Sequence, residues 1–309
     1  MHLLSYIIKR ILWGMLTLWI VVTLTFVLMH SIPGGPFDTE SLQTMNEIVR
    51  RNLESKFGLD KPYFEQYFIY LTNLLRGEMG ISIAYAPRTV NQIIARGFPV
   101  SGLLGIIVVV IAVTIGVSIG VWAALKRGKW QDNLVKVLST IGITVPSFVL
   151  ATLLIYVFAV KLRLLPSFGF KTPRHMILPA IALSFGSIAF LSRLTRSSLL
   201  DVIKQDYVRT ARAKGLSRNR VVYKHALKNA LLPIVTYVGP LVAALLTGSF
   251  IVEKIFSIPG MGREMVSAIG NRDYIMILGL TSFFSCILIV TYIVVDILYV
   301  LIDPRVHFD

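Results

Sequence analysis

Residues 97–125 read GFPVSGLLGIIVVVIAVTIGVSIGVWAAL, and none of these 29 side chains is charged. A membrane-crossing helix needs about 18 or more such residues, whereas a soluble core helix rarely runs so far without a charge. Five further gaps in the charge pattern lie on either side. They hold 27 residues between Arg10 and Asp38, 24 between Lys136 and Lys161 and 18 between Arg174 and Arg193, then 24 between Lys228 and Glu253 and 22 between Asp273 and Asp296. Six transmembrane helices are predicted, and the fold class is an all-α polytopic membrane protein.

Composition agrees. Of 309 residues, 55% are hydrophobic and 15% charged, against about 25% charged in ordinary soluble domains. The formal net charge of +15 would suggest nucleic acid in a soluble chain, but at a mean hydropathy of +0.72 it points to a membrane, with lipid and not nucleic acid as the surface met. A single cysteine, Cys286, excludes an intrachain disulfide and a cysteine-based metal site.

Orientation follows from the short loops, because cytoplasmic loops hold the lysine and arginine excess. Lys9 and Arg10 place the N-terminus inside. The segment Lys126 to Lys136 carries a net +3, and Arg193 to Lys228 carries ten basic residues against Asp201 and Asp206. The outer stretches Asp38 to Arg96 and Glu253 to Asp273 are neutral, while Lys161, Arg163, Lys171 and Arg174 break the rule on the outer side and are outvoted. Both termini are expected to be cytoplasmic. The apolar run Ile11 to Met29 exceeds the 7–15 residues of a signal-peptide core and has no small-residue cleavage pattern, so it reads as a retained helix.

The outer segment is too long for a turn. Tyr63, Phe64, Tyr67, Phe68, Tyr70 and Leu71 recur at helical spacing, an aromatic face suited to packing on the outer ends of the spans. Within the spans, Gly116 and Gly120 permit close helix approach. Pro146, Pro179, Pro233 and Pro240 interrupt hydrogen-bond ladders, as packing features or as hinges. Asp296 is the one acidic residue well inside an apolar run, an intramembrane candidate by its depth. Its distance of seven residues from Asp303 equally fits a carboxylate near the cytoplasmic interface bonded to a neighbouring helix.

The most informative stretch lies between the fourth and fifth spans: Asp206-Tyr207-Val208-Arg209-Thr210-Ala211-Arg212-Ala213-Lys214-Gly215-Leu216. Asp206 is a suitable N-cap and Gly215 a suitable residue just past the C-cap, bracketing a helix of about two turns. Ser217 then opens a second helix through Val221, Val222, His225 and Leu227 toward Pro233. So short a helix must be held by the bundle or by a partner. Small residues at Ala211 and Ala213 suit docking into a groove.

On these residues the chain resembles the permease subunits of binding-protein-dependent ABC importers, whose cytoplasmic loop reads E-A-A-x-x-x-G and later I-x-L-P. Gly215 matches the glycine and Ala211 the second alanine, while Arg209 and Thr210 replace the glutamate and the first alanine. The departures resemble the peptide-importer branch, Y-x-R-T-A-R-A-K-G-L and then H-A-L-x-N-A-L-L-P, found from Tyr207 to Leu216 and from His225 to Pro233. Pro33-Gly34-Gly35-Pro36, Gly58-Leu59-Asp60-Lys61-Pro62, Gln66-Tyr67, Gly248-Ser249-Phe250 with Glu253, Ile258 to Gly262, Asn271 to Tyr274, and Asp296 through Asp303-Pro304-Arg305 extend the likeness to the B-type permease of oligopeptide and dipeptide importers.

That resemblance implies a type I ABC importer permease fold in a bacterial cell membrane. The implied divisions are an N-terminus with the first helix (1–32), a folded extracellular segment (33–98), a five-helix core (99–302) with its coupling loop (193–230), and a tail (303–309). The implied partners are a second, homologous permease, two ABC ATPases, an extracellular peptide-binding protein and the peptide substrate. The helix Asp206–Leu216 is then the contact with an ATPase. No G-x-x-x-x-G-K-[ST] phosphate loop occurs, so ATP and Mg²⁺ belong to the partners and this chain holds no cofactor or metal. Nickel, glutathione or another small solute of the same branch is the alternative cargo. An ion-coupled secondary transporter needs more intramembrane ionisable residues than Asp296, and an enzyme needs partners that His30 and His175 lack.

Overall fold

The computed structural model describes residues 3–37 and 46–302, and the tail 303–309 with its Asp303-Pro304-Arg305 lies outside them. The first half comprises α1 (Leu3–Ser31), α2 (Glu47–Phe57), α3 (Tyr63–Leu75), α4 (Val90–Leu125), α5 (Trp130–Thr144), α6 (Ser147–Leu154) and α7 (Pro173–Val202). The second half comprises α8 (Asp206–Ala213), α9 (Arg218–Arg220), α10 (Leu227–Ala230), α11 (Leu232–Leu246), α12 (Phe250–Ile255), α13 (Met261–Gly270) and α14 (Tyr274–Ile302). Among the described residues the only β pairing is an isolated bridge between Ile81 and Thr89.

Five stretches are long and apolar enough to cross a membrane: Ile8–Ser31, Val90–Leu125, Pro173–Val202, Leu232–Ile255 and Tyr274–Ile297. The remaining predicted span, the third in chain order, is not a straight rod. Trp130–Thr144 and Ser147–Lys161 meet at a bend of 99°. Pro146 is the cause, since its ring denies the carbonyl of Gly142 a donor and drives the preceding Val145 out of the helical region to φ −76°, ψ 120°. Beyond α6 the backbone continues as a π-helix over Ile155–Lys161.

The boundary of the outer segment also shifts. Thr89 and Gln92 form a reciprocal capping box, so α4 begins at Val90, well before residue 99, and carries Pro99 inside it. Within that outer segment α2 ends on a left-handed Gly58, φ +69°. The aromatic helix α3 then turns two of its rings inward. Tyr67 hydrogen-bonds Thr23 of α1 at 2.6 Å and Tyr70 hydrogen-bonds Ser282 of α14 at 2.9 Å. Phe64 and Phe68 meet with their rings tilted, 4.6 Å between centroids, and stay exposed. Burial pushes the Tyr70 phenol up to about 12, because the charged form loses its hydration.

Helices close on each other where side chains vanish. A Cβ on Gly116 would stand 2.8 Å from Cβ of Leu191, and one on Gly120 would stand 2.6 Å from the Ser192 carbonyl, so this pair seats α4 against α7. Gly142 does the same for α5 on α7, meeting Ala189, and Gly14 for α1 on α14, meeting Ile289. Of the other marked prolines, Pro233 occupies the first turn of α11, where its missing N–H costs nothing, while Pro179 and Pro240 lie within α7 and α11.

Among the described residues five apolar clusters form, and two of them lie at opposite ends of the bundle. One, at the end that bears α12, gathers Leu104, Val108, Leu178, Val252, Phe256 and Ile258. The other, at the opposite end, gathers Val121, Leu199, Val208, Val221, Val222 and Ala226. Leu12, Trp13, Trp19 and Leu28 of α1 are exposed, as a lipid-facing helix requires.

Candidate functional site: the short helix at one end of the bundle

Helix α8 spans Asp206–Ala213, as the local sequence predicts, but its start differs. The N-cap is Gln205, in extended conformation without a side-chain cap, and Asp206 is the first helical residue. There its carboxylate lies 3.5 Å from Arg209 and its carbonyl accepts from the Thr210 hydroxyl at 3.0 Å. At the other end Lys214 is the C-cap, and Gly215 follows at φ +78° with its N–H donating to the Arg212 carbonyl at 3.0 Å. A Cβ on Gly215 would meet nothing within 4 Å. Only the backbone therefore demands glycine there.

The helix is asymmetric about its axis. Val208 and Ala211 are buried in the core formed with Val121, Ala124, Leu199, Val221, Val222, Ala226 and Ala230, and Leu216 packs on the same cluster. Asp206, Tyr207, Arg209, Thr210, Arg212, Ala213 and Lys214 are exposed. The two small residues thus part company: Ala211 seats α8 on its own bundle, and Ala213 faces outward. The Tyr207 hydroxyl accepts from the Asn229 amide at 2.7 Å, tying α8 to the segment after it. That segment is α-helical at Arg218–Arg220, π-helical at Val221–Ala226 and α-helical again at Leu227–Ala230.

One turn inward lies a charged cluster that the charge counts alone do not reveal. Asp132, fully buried, receives both the Nε and the Nη2 of Arg196, at 2.5 and 2.9 Å, with Lys136 at 3.2 Å and the Gly128 N–H at 3.0 Å. Ser139 and Ser192 exchange a hydrogen bond at 2.9 Å and Arg193 donates to Thr140 at 2.9 Å. The start of α5 is therefore fixed to the end of α7, the helix that leads directly into α8. The bidentate fork fits arginine against carboxylate.

Asp296 has a partner. Arg10 of α1 reaches it at 2.6 Å, with Asp296 the less exposed of the two. The pair couples the first and last spans at one end of the bundle, in keeping with the interfacial reading of this carboxylate. His30 likewise packs, its ring against Phe26, Tyr63 and Tyr274, and His175 closes a capping box with Thr172.

At the opposite end two buried carboxylates organise the loops. Glu253 accepts from the Ser101 hydroxyl at 2.9 Å and from the backbone N–H groups of Ser249, Gly262 and Arg263, while Ser101 accepts from the Met261 N–H at 2.8 Å. Asp273 accepts from Ser82 at 2.5 Å and from the N–H groups of Ala84 and Met276. Arg272 and Tyr274 donate to the carbonyls of Pro33 and Gly34, both at 3.0 Å. Glycine-rich stretches that carry the family resemblance thus meet at the end of the bundle away from α8. The sequence offered two signals for Glu253, its place at the edge of an uncharged run and its position in the Gly248-Ser249-Phe250 stretch that carries the family resemblance. Among the described residues no cluster of three or more His, Cys, Asp or Glu is arranged to hold a metal.

Comparison with known proteins matches residues 116–308 to the binding-protein-dependent transport system inner membrane component family, and residues 3–101 to the N-terminal domain of such membrane components. A dipeptide transport system permease protein of Bacillus subtilis is 49% identical over 97% of each chain. An oligopeptide transport system permease protein of Salmonella typhimurium is 42% identical over 99% of this chain and all of its own. Among solved structures, the methionine ABC transporter MetNI in inward-facing form superimposes with a TM-score of 0.57 over 68% of this chain and 96% of the other, at 19% identity. That likeness concerns the fold.

Proposed function

The chain belongs to the binding-protein-dependent transport system inner membrane component family, and from that membership we propose that it is the B-type permease of an ABC importer for dipeptides or oligopeptides. The observation that carries the cargo is the near full-length identity to permeases named for dipeptide and oligopeptide transport. The chain is a multi-pass inner-membrane protein and contributes the path, while ATP and Mg²⁺ are held by two partner ATPases. A second, homologous permease completes the path, and an extracellular binding protein delivers the peptide. Both termini lie in the cytoplasm.

In this reading α8 is the part that an ATPase grips. Its inner face, Val208 and Ala211, is committed to the bundle, so a push on the exposed Arg209, Arg212, Ala213 and Lys214 is passed on as rigid-body motion. Alternating access needs two packings whose balance is shifted by a partner, and ATP binding between the ATPases supplies the difference. The Asp132–Arg196 fork ties α5 to the same moving unit. The test is reconstitution of the chain with its partner subunits and binding protein in ATP-loaded vesicles. Uptake of labelled di- to oligopeptides that stops without ATP is expected. Uptake of nickel or glutathione in place of peptide would reassign the cargo, and peptide uptake driven by an ion gradient alone would refute the ABC reading.

A further inference from the structure

We propose that the cavity at the broken span, where α5 gives way to α6, is a contact site for the peptide in transit, holding it through hydroxyls and aromatic rings and not through charge. This rests on the reading of the chain as a peptide permease and adds to it the residues that touch the cargo. The cavity has a volume of about 360 Å³ and is lined by Pro146 and Ser147 at the break, by Phe185, Ser187 and Phe190 of α7, and by Tyr237 of α11. That volume falls within the range of small-molecule sites.

Depth comes first. Ser187 lies inside the uncharged run of α7, 13 residues after Arg174 and 6 before Arg193, and the break lies inside the uncharged run between Lys136 and Lys161. The cavity therefore lies within the hydrocarbon depth. At that depth non-helical backbone is tolerated only where it is buried in protein or lines a water-filled space. The break is not buried within this chain, since Ile143 and Phe148 on its two sides are exposed and Val145 between them is half-buried. Lipid is excluded as the neighbour by the same argument, which leaves the path or the second permease around it.

The lining favours the path. Ser187 and Tyr237 both line the cavity, and the Tyr237 ring stacks on Phe190 at 4.2 Å and 28°, so α7 and α11 form one wall. Gly186 leaves room for the Gly142 carbonyl, which a Cβ there would approach to 3.4 Å, and Pro146 denies that carbonyl its helical donor. Hydroxyls that can swap partners suit a peptide backbone passing through, and the rings offer apolar contact. No charged side chain lines the cavity, so neither acidic nor basic peptides meet an opposing or trapping charge. Discontinuous helices meeting at mid-membrane are a recurrent geometry of transport sites.

The test uses the complete complex in vesicles, with Cys286→Ser as background and single cysteines at Ser187 and, as a lipid-facing control, at Leu24 of α1. A charged methanethiosulfonate reagent should modify Ser187→Cys and not Leu24→Cys, and saturating transported peptide should slow that reaction about tenfold. Reactivity no greater than the control, or reactivity that peptide leaves unchanged, overturns the site. Independently, Ser187→Trp should abolish uptake while ATP hydrolysis remains stimulated by loaded binding protein, and retained uptake overturns it. Peptide import by the unaltered complex is the internal reference. If that fails, the functional reading falls and takes this site with it; if it holds, negative results at Ser187 remove the site alone.

Discussion

Gly215 and Glu253 show two ways in which a single residue is indispensable. At Gly215 the space is open and the restriction is conformational: a left-handed backbone costs other residues about 1–2 kcal/mol, most for β-branched ones. Gly215→Val is expected to leave the complex assembled and ATP hydrolysis active but to lose most peptide uptake, as read by the ratio of the two rates in vesicles; uptake equal to the unaltered protein refutes a role in coupling. At Glu253 the restriction is the count of acceptors. Its carboxylate takes one hydroxyl and three N–H groups, and an amide in its place would have to surrender one oxygen. Glu253→Gln should lower stability by about 1–3 kcal/mol, seen as an earlier thermal transition of the purified protein, with Glu253→Ala lower still. Glu253 and Ser101 lie far apart in the chain, and nothing local in either neighbourhood announces their meeting. The edge of α8 was legible only to within a residue, because Gln205 and Asp206 are both polar and the extended backbone at Gln205 decides which one caps.

Among the elements, the charge-free runs were readable because the absence of charge is a local property and a bilayer enforces it. The bend in the third run was readable in cause and not in size: Pro146 marks an interruption, but the angle of 99° depends on how α5 and α6 each pack on α7. Pro146→Ala restores the missing N–H and should draw the two helices toward a continuous rod, closing the cavity beside Ser187. Peptide uptake is expected to fall severalfold with the complex still assembled, and undiminished transport in vesicles would deny the bend a function. The fork between α5 and α7 makes a sharper energetic prediction. Asp132→Asn leaves Arg196 without its counter-charge and should cost about 3–5 kcal/mol, whereas Asp132→Asn combined with Arg196→Met should regain much of that loss. Thermal unfolding of the two single variants and the double variant measures the coupling. Which alanine of α8 faces its own bundle was likewise beyond the sequence, since Ala211 and Ala213 differ only in what the fold brings beside them.

For the whole molecule, the excess of positive charge is concentrated at the end that bears α8, and the polar pairs between helices join residues assigned to the same end: Arg10 with Asp296, Asp132 with Arg196, Ser101 with Glu253. A membrane-impermeant thiol reagent applied to whole cells, in the Cys286→Ser background, should label Phe64→Cys and spare Ser217→Cys until the membrane is opened; the reverse pattern would invert the topology. The ion pair between the first and last spans also bears on how the protein is made. Arg10 enters the bilayer boundary first, and Asp296 follows 286 residues later. Until then α1 is held by its apolar surface and, at the end that carries Thr23 and His30, by Tyr67 and Tyr63 of α3. Once α14 is in place, the ion pair and the close seat of Gly14 on Ile289 fasten the other end. The two ends of the first helix are thus secured at different stages of synthesis.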